Sequence, residues 1–102
     1  MIIYAKGEID TIIHKNEKII IDASGAPRRC GGIGDVLSGV IAAIISMSGG
    51  SIISNSELFI CLNIAGRIVR RASALSFNIK GRSMSAVDVI ENIGSSFKMI
   101  LE

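Results

Sequence analysis

The sequence predicts an α/β chain built of a core strand, a β-hairpin and then three helices. Three observations carry that expectation. Between Met1 and Asp22 lie short Ile-rich runs broken by polar residues. From Val36 onward, apolar side chains recur at helical spacing. A glycine cluster, Gly31, Gly32 and Gly34, separates the two regimes. Strands followed by helices in one chain of 102 residues fit a layered packing with a small, thinly covered sheet.

Ile2 to Ala5, "IIYA", is β-branched and apolar and stops at Lys6-Gly7, which reads as a buried strand running into a loop. "DTIIHKNEKIIID" then offers runs at Thr11 to Ile13 and Lys18 to Asp22 around a polar turn from His14 to Glu17, a hairpin pattern. His14 has no Ser, Asp or Cys arrangement around it and is expected to be exposed and inert. After a Ser-Gly-Ala-Pro loop, Val36, Leu37, Val40, Ile41, Ile44 and Ile45 mark a helix beginning near Gly34 and buried almost all round.

Ser48, Gly49 and Gly50 end it, and a second helix is expected from near Ser56, with Glu57 at the positive end of its dipole. Leu58, Cys61, Leu62, Ala65, Val69 and Ala72 form its apolar stripe, and Arg67, Arg70 and Arg71 read as a solvated face. "SAVD", with Ser85 and Asp88 at capping-box spacing, opens a third helix carrying Ile90, Ile93, Phe97 and Leu101.

Composition narrows the function classes. The chain is 49% hydrophobic and 20% charged, as a buried globular domain is, and its formal charge is only +2, without a basic run, so neither nucleic acid nor an anionic membrane is expected as a partner. Its longest apolar run is too short for a bilayer, and no targeting segment is evident. Cys30 and Cys61 have no metal-site spacing and fit free thiols in a reducing compartment, the cytoplasm or the mitochondrial matrix; no metal ligands are assigned.

"RRCGGIGDVLSG", Arg28 to Gly39, is the stretch that carries chemistry. Glycines just ahead of a helix permit the positive φ values that turn successive N–H groups toward one anion, and they remove the side chains that would hold a phosphate away. Arg28 and Arg29 add positive charge at the rim. The alternatives are a plain strand-to-helix turn and several other fingerprints. A Walker A loop needs Lys-Ser or Lys-Thr where Asp35 stands, and the dinucleotide fingerprint needs a small residue where Leu37 stands. "GGIG" also matches the clamp of a KH domain, which sits between two helices rather than after a turn. Asp35 reads either as a helix-start residue or as a base beside a bound phosphate.

That stretch closely resembles the ATP-dependent NAD(P)H-hydrate dehydratases of the ribokinase-like superfamily. "KGEID" is similar to the family's KGxxD element and "GRSMSAVDVIENIG" to its C-terminal GRS segment, so the resemblance spans essentially the whole chain. It implies a C-terminal portion of a ribokinase-like domain. The implied reaction is ATP-driven dehydration of the (6S) hydrate of NADH or NADPH, with ATP and Mg²⁺ as cofactors.

Carried over by position, Lys6, Gly7, Glu8, Ile9 and Asp10 correspond to one ATP-binding stretch. Gly25, Ala26, Pro27, Arg28, Arg29, Cys30, Gly31, Gly32, Ile33 and Gly34 correspond to the other. Asp35 corresponds to the substrate-contacting aspartate and catalytic base. Because family members carry a further N-terminal part, the isolated chain is expected to self-associate or to require a complementary N-terminal portion, and not to turn over alone. A non-catalytic interaction module and a vitamin-precursor kinase are the alternatives.

Overall fold

The computed structural model describes residues 2–6, 9–21, 32–47 and 54–101, with side chains through Lys98. Strands β1 (Ile2–Ala5), β2 (Asp10–His14) and β3 (Glu17–Ile21) form an antiparallel sheet in the order β1-β2-β3. Helices α1 (Ile33–Met47), α2 (Asn55–Lys80), α3 (Ala86–Glu91) and α4 (Ile93–Leu101) follow, with a 3₁₀ turn at Gly81–Ser83. The expected α/β order of strand, hairpin and helices is present.

Register follows from alternation: Ile3 opposes Ile13, Ala5 opposes Thr11, and Ile12 opposes Ile19. Tyr4, Ile12 and Ile21 therefore share the face that packs on Phe59, Leu62 and Gly66 of α2. The hairpin turn is tighter than the sequence suggests. Only Lys15 and Asn16 lie between the strands, and Lys15 takes φ 55°, the left-handed conformation that two-residue turns demand.

Shortening the turn makes His14 the last residue of β2, which corrects the expectation that it is exposed. It points with Ile12 toward α2 and is only 8% exposed, its ring centroid 6.0 Å from that of Phe59. Its Nε2 has no hydrogen-bond partner among the described residues.

β1 also departs from expectation. It lies at a sheet edge and alternates between half-buried and exposed, because α2 covers only one face; Ile3, Ile13 and Ile20 look outward from the other.

Helix α2 is the hub. Cys61, Ala65, Ile68 and Val69 pack against Leu37 and Ile44 of α1, and Ala72 meets Met84 and Val89 beneath α3. It starts at Asn55, one residue earlier than expected, because Ser54 caps it by accepting from the Glu57 N–H at 3.2 Å. α1 is not buried all round: Leu37 and Ile44 are buried, but Gly39, Ala42, Ala43 and Met47 are exposed, since α2 and α3 cover one side only.

The expected third helix is two. The capping box's return leg forms, with Asp88 accepting from the Ser85 N–H at 2.8 Å, but the helix breaks at Asn92. There the Asn92 side-chain amide donates to Ser76 Oγ at 3.1 Å and to the Asp88 carbonyl at 3.0 Å, tying the break to α2. Ser96 fixes α4 beyond it by donating to the Ile68 carbonyl at 2.6 Å.

Candidate functional site

The candidate site is the N-terminus of α1 together with the end of β1. Gly32 takes φ +86°, a conformation that glycine alone adopts without strain, and its carbonyl accepts from the N–H groups of Asp35 and Val36, both at 3.1 Å. The N–H groups of Ile33 and Gly34, the two residues before these, have no carbonyl of their own helix within reach. They sit at the positive end of the helix dipole, where an anion is stabilised.

Lys6 is brought to the same place. A Cβ built on Gly34 would stand 3.0 Å from Lys6 Nζ, so a side chain at Gly34 would displace the ammonium. An ammonium beside a positive helix end is a like-charge arrangement that a bound anion resolves. Asp35, one residue further into α1, is exposed in its first turn, so a carboxylate stands next to the cradle and open to solvent. A Cβ on Gly32 would stand 3.2 Å from Ala86 Cβ, which places the start of α3 against the same turn.

The strand-to-strand connection that presents Lys6 is tied at its base. Asp10, 4% exposed, accepts from Tyr4 Oη at 2.8 Å and from Arg70 Nη2 at 2.9 Å, the latter an ion pair from α2. Arg70 is thus not part of a solvated face: a buried carboxylate needs a counter-charge, and α2 supplies it.

The structure therefore brings together Lys6, Gly32, Ile33, Gly34 and Asp35. Ile9 is exposed in the β1–β2 connection, and Asp10 is engaged with Tyr4 and Arg70. Gly7 and Glu8 lie outside the described residues, as do Gly25, Ala26, Pro27, Arg28, Arg29, Cys30 and Gly31. Tyr4 and Arg70 were missed as supports of the site. A signal for them exists: Gly66 in the middle of an apolar helical stripe marks a close approach, and Arg70 lies one turn further along the same face.

A side chain at Gly34 would crowd Lys6 Nζ, so the ammonium and the helix start approach each other across a glycine. Among the described residues no group of three or more His, Cys, Asp or Glu forms a metal cage. No helix of the described residues is long and apolar enough to cross a membrane.

The described residues thus set a glycine-turned helix start beside a lysine on an α/β scaffold. The family model for NAD(P)H-hydrate dehydratase, of the carbohydrate-kinase type, matches residues 1–95, and the chain belongs to that family. Among similar proteins, the ATP-dependent (S)-NAD(P)H-hydrate dehydratase of Entamoeba histolytica is 35% identical over 99 residues, covering 96% of this chain and 33% of the relative. Those of Vitis vinifera, 37% identical, and Ciona intestinalis, 35% identical, are matched over 96% and 93% of this chain but 30% and 26% of their own lengths. The chain spans about a third or less of these relatives.

Proposed function

We propose that this chain is a C-terminal portion of a dehydratase domain that repairs the (6S) hydrates of NADH and NADPH at the expense of ATP. The observation that carries the reading is Lys6 Nζ lying over Gly34 at the start of α1, next to Asp35. The names of the relatives supply the reaction, and none of them favours the kinase or the scaffold reading.

The hydrate's hydroxyl is a poor leaving group, and phosphorylation makes it a good one. Asp35 accepts the hydroxyl proton as the oxygen attacks the γ-phosphorus and the bond to ADP breaks. Charge building on the transferring group is met by the Ile33 and Gly34 N–H groups and by the Lys6 ammonium, donors already in place before the reaction. Mg²⁺ bound with ATP neutralises further phosphate charge. Phosphate then leaves as the nicotinamide ring nitrogen donates its electron pair, and loss of a proton from the adjacent ring carbon restores the double bond.

Lys6 to Ile9 and Gly25 to Gly34 form the nucleotide site in this reading, with Asp35 as catalytic base and substrate contact. A reducing compartment, the cytoplasm first, suits Cys61, a free and buried thiol. The outward isoleucines Ile3, Ile13 and Ile20 support association with another copy or with a complementary N-terminal portion. Alone, the chain is expected to bind MgATP weakly and not to turn over, because a base and a cradle accelerate only a substrate held for in-line attack.

The test places this chain in the Entamoeba histolytica relative in exchange for the segment it matches. The chimera is expected to regenerate NADH from (6S)-NADHX only when ATP is supplied. Asp35→Asn should lower that rate by roughly two or more powers of ten, with ATP binding retained. An Asn variant as fast as its parent removes Asp35 as the base.

A further inference from the structure

We infer that Arg70, Tyr4 and Asp10 form a positioning device that holds Lys6 over the start of α1, and that Asp10 acts there as an anchor rather than as a nucleotide ligand. The inference rests on the reading of that cradle as a phosphate site. Lys6 lies in the connection between β1 and β2, after the last paired residues, Ala5 and Thr11. Lys6 is exposed, and a long exposed lysine side chain is free to sample many rotamers.

What restricts it is the bond across its base. Tyr4, two residues before Lys6, donates to Asp10, four residues after it, so the two ends of the connection are stapled to each other. Arg70 bonds the other oxygen of the same carboxylate and fixes the staple to α2, the helix on which α1 also packs. Lys6 and its target Gly34 are thereby referred to one rigid element. The Asp10 carboxylate has both oxygens engaged and is 4% exposed, which leaves it poorly disposed to receive a nucleotide hydroxyl. Gly66 belongs to the same device. It gives Tyr4 Oη and Ile21 Cδ1 the space they occupy against α2, one turn before Arg70.

The test measures the affinity of the purified chain for MgATP by calorimetric titration. Removing Arg70 alone would strand a buried carboxylate, so the informative variant is the double change Asp10→Asn with Arg70→Met, which takes out both charges and keeps the volume. It is expected to weaken MgATP binding about tenfold, the loss of one well-placed charge contact. Tyr4→Phe, which leaves the ion pair in place, should weaken it by a smaller factor. Ile44→Val, which loosens the core at the far end of α1, should leave the affinity unchanged.

A structural role would not predict the decisive result. In a Lys6→Ala background, the double change should cost no further affinity, because the residue it positions is gone. Equal affinity in the parent and the double variant, or full additivity with Lys6→Ala, overturns the positioning role while leaving the phosphate site standing. Absence of MgATP binding by the unaltered chain overturns the site reading, and this inference with it.

Discussion

Gly66→Ala tests how tightly the sheet is seated on α2. Elsewhere in a helix this change is favourable by about 1 kcal/mol, since alanine loses less backbone entropy. Here the added Cβ would overlap Ile21 Cδ1 and Tyr4 Oη, and Ile21 is fully buried with no free space to take up. Overpacking of a filled core costs about 1–3 kcal/mol. Pushing Tyr4 aside also breaks its bond to the buried Asp10 carboxylate, which as a hydrogen bond to a charged group is worth about 1.5–3 kcal/mol. Set against the propensity gain, the net loss is about 1.5–5 kcal/mol. The assay is urea unfolding followed by circular dichroism, with a lower midpoint at unchanged slope as the expected outcome. An alanine variant as stable as the parent would show that β1 and β3 do not seat on α2 as described.

Three further changes probe local geometry by the same unfolding assay. Lys15→Gly should raise stability by about 0.5–1 kcal/mol, because Lys15 holds φ 55° at the hairpin turn; a loss would mean the turn is of another type. Gly32→Ala should cost about 1–2 kcal/mol from its φ of +86° and should also weaken MgATP binding as the start of α1 shifts away from Ala86; unaltered affinity would separate that turn from the site. His14→Leu should be neutral or stabilising by about 1 kcal/mol, since it removes a buried nitrogen that lacks a partner while keeping the contact with Phe59; a large loss would reveal an undescribed bond to His14.

The strands and helices were legible because their signals are local. Alternation at Ile3, Tyr4, Ile12 and Ile13, and the 3.6-residue spacing through α1 and α2, report which face each element turns inward. The glycines and Asp35 at the start of α1 were legible for the same reason. What escaped depends on partners distant in sequence. Arg70 reads as a surface arginine until Asp10 is placed beneath it, and His14 reads as a turn residue until the turn proves to be two residues long. The burial of α1 and β1 was overestimated because an apolar sequence states what a segment would bury, not what stands opposite it. The break at Asn92 depends on Ser76, on another helix.

The central claim is that Lys6 and the first turn of α1 together receive the phosphates of ATP, and an amide-resolved NMR titration of the chain with MgATP tests it most directly. The account predicts that the largest shifts fall on Ile33, Gly34 and Asp35, the amides that open α1. It also predicts that Lys6→Ala diminishes those shifts without altering the spectrum of α4. Shifts spread over the open face of Ile3, Ile13 and Ile20, or shifts at α1 that are indifferent to Lys6, would contradict it.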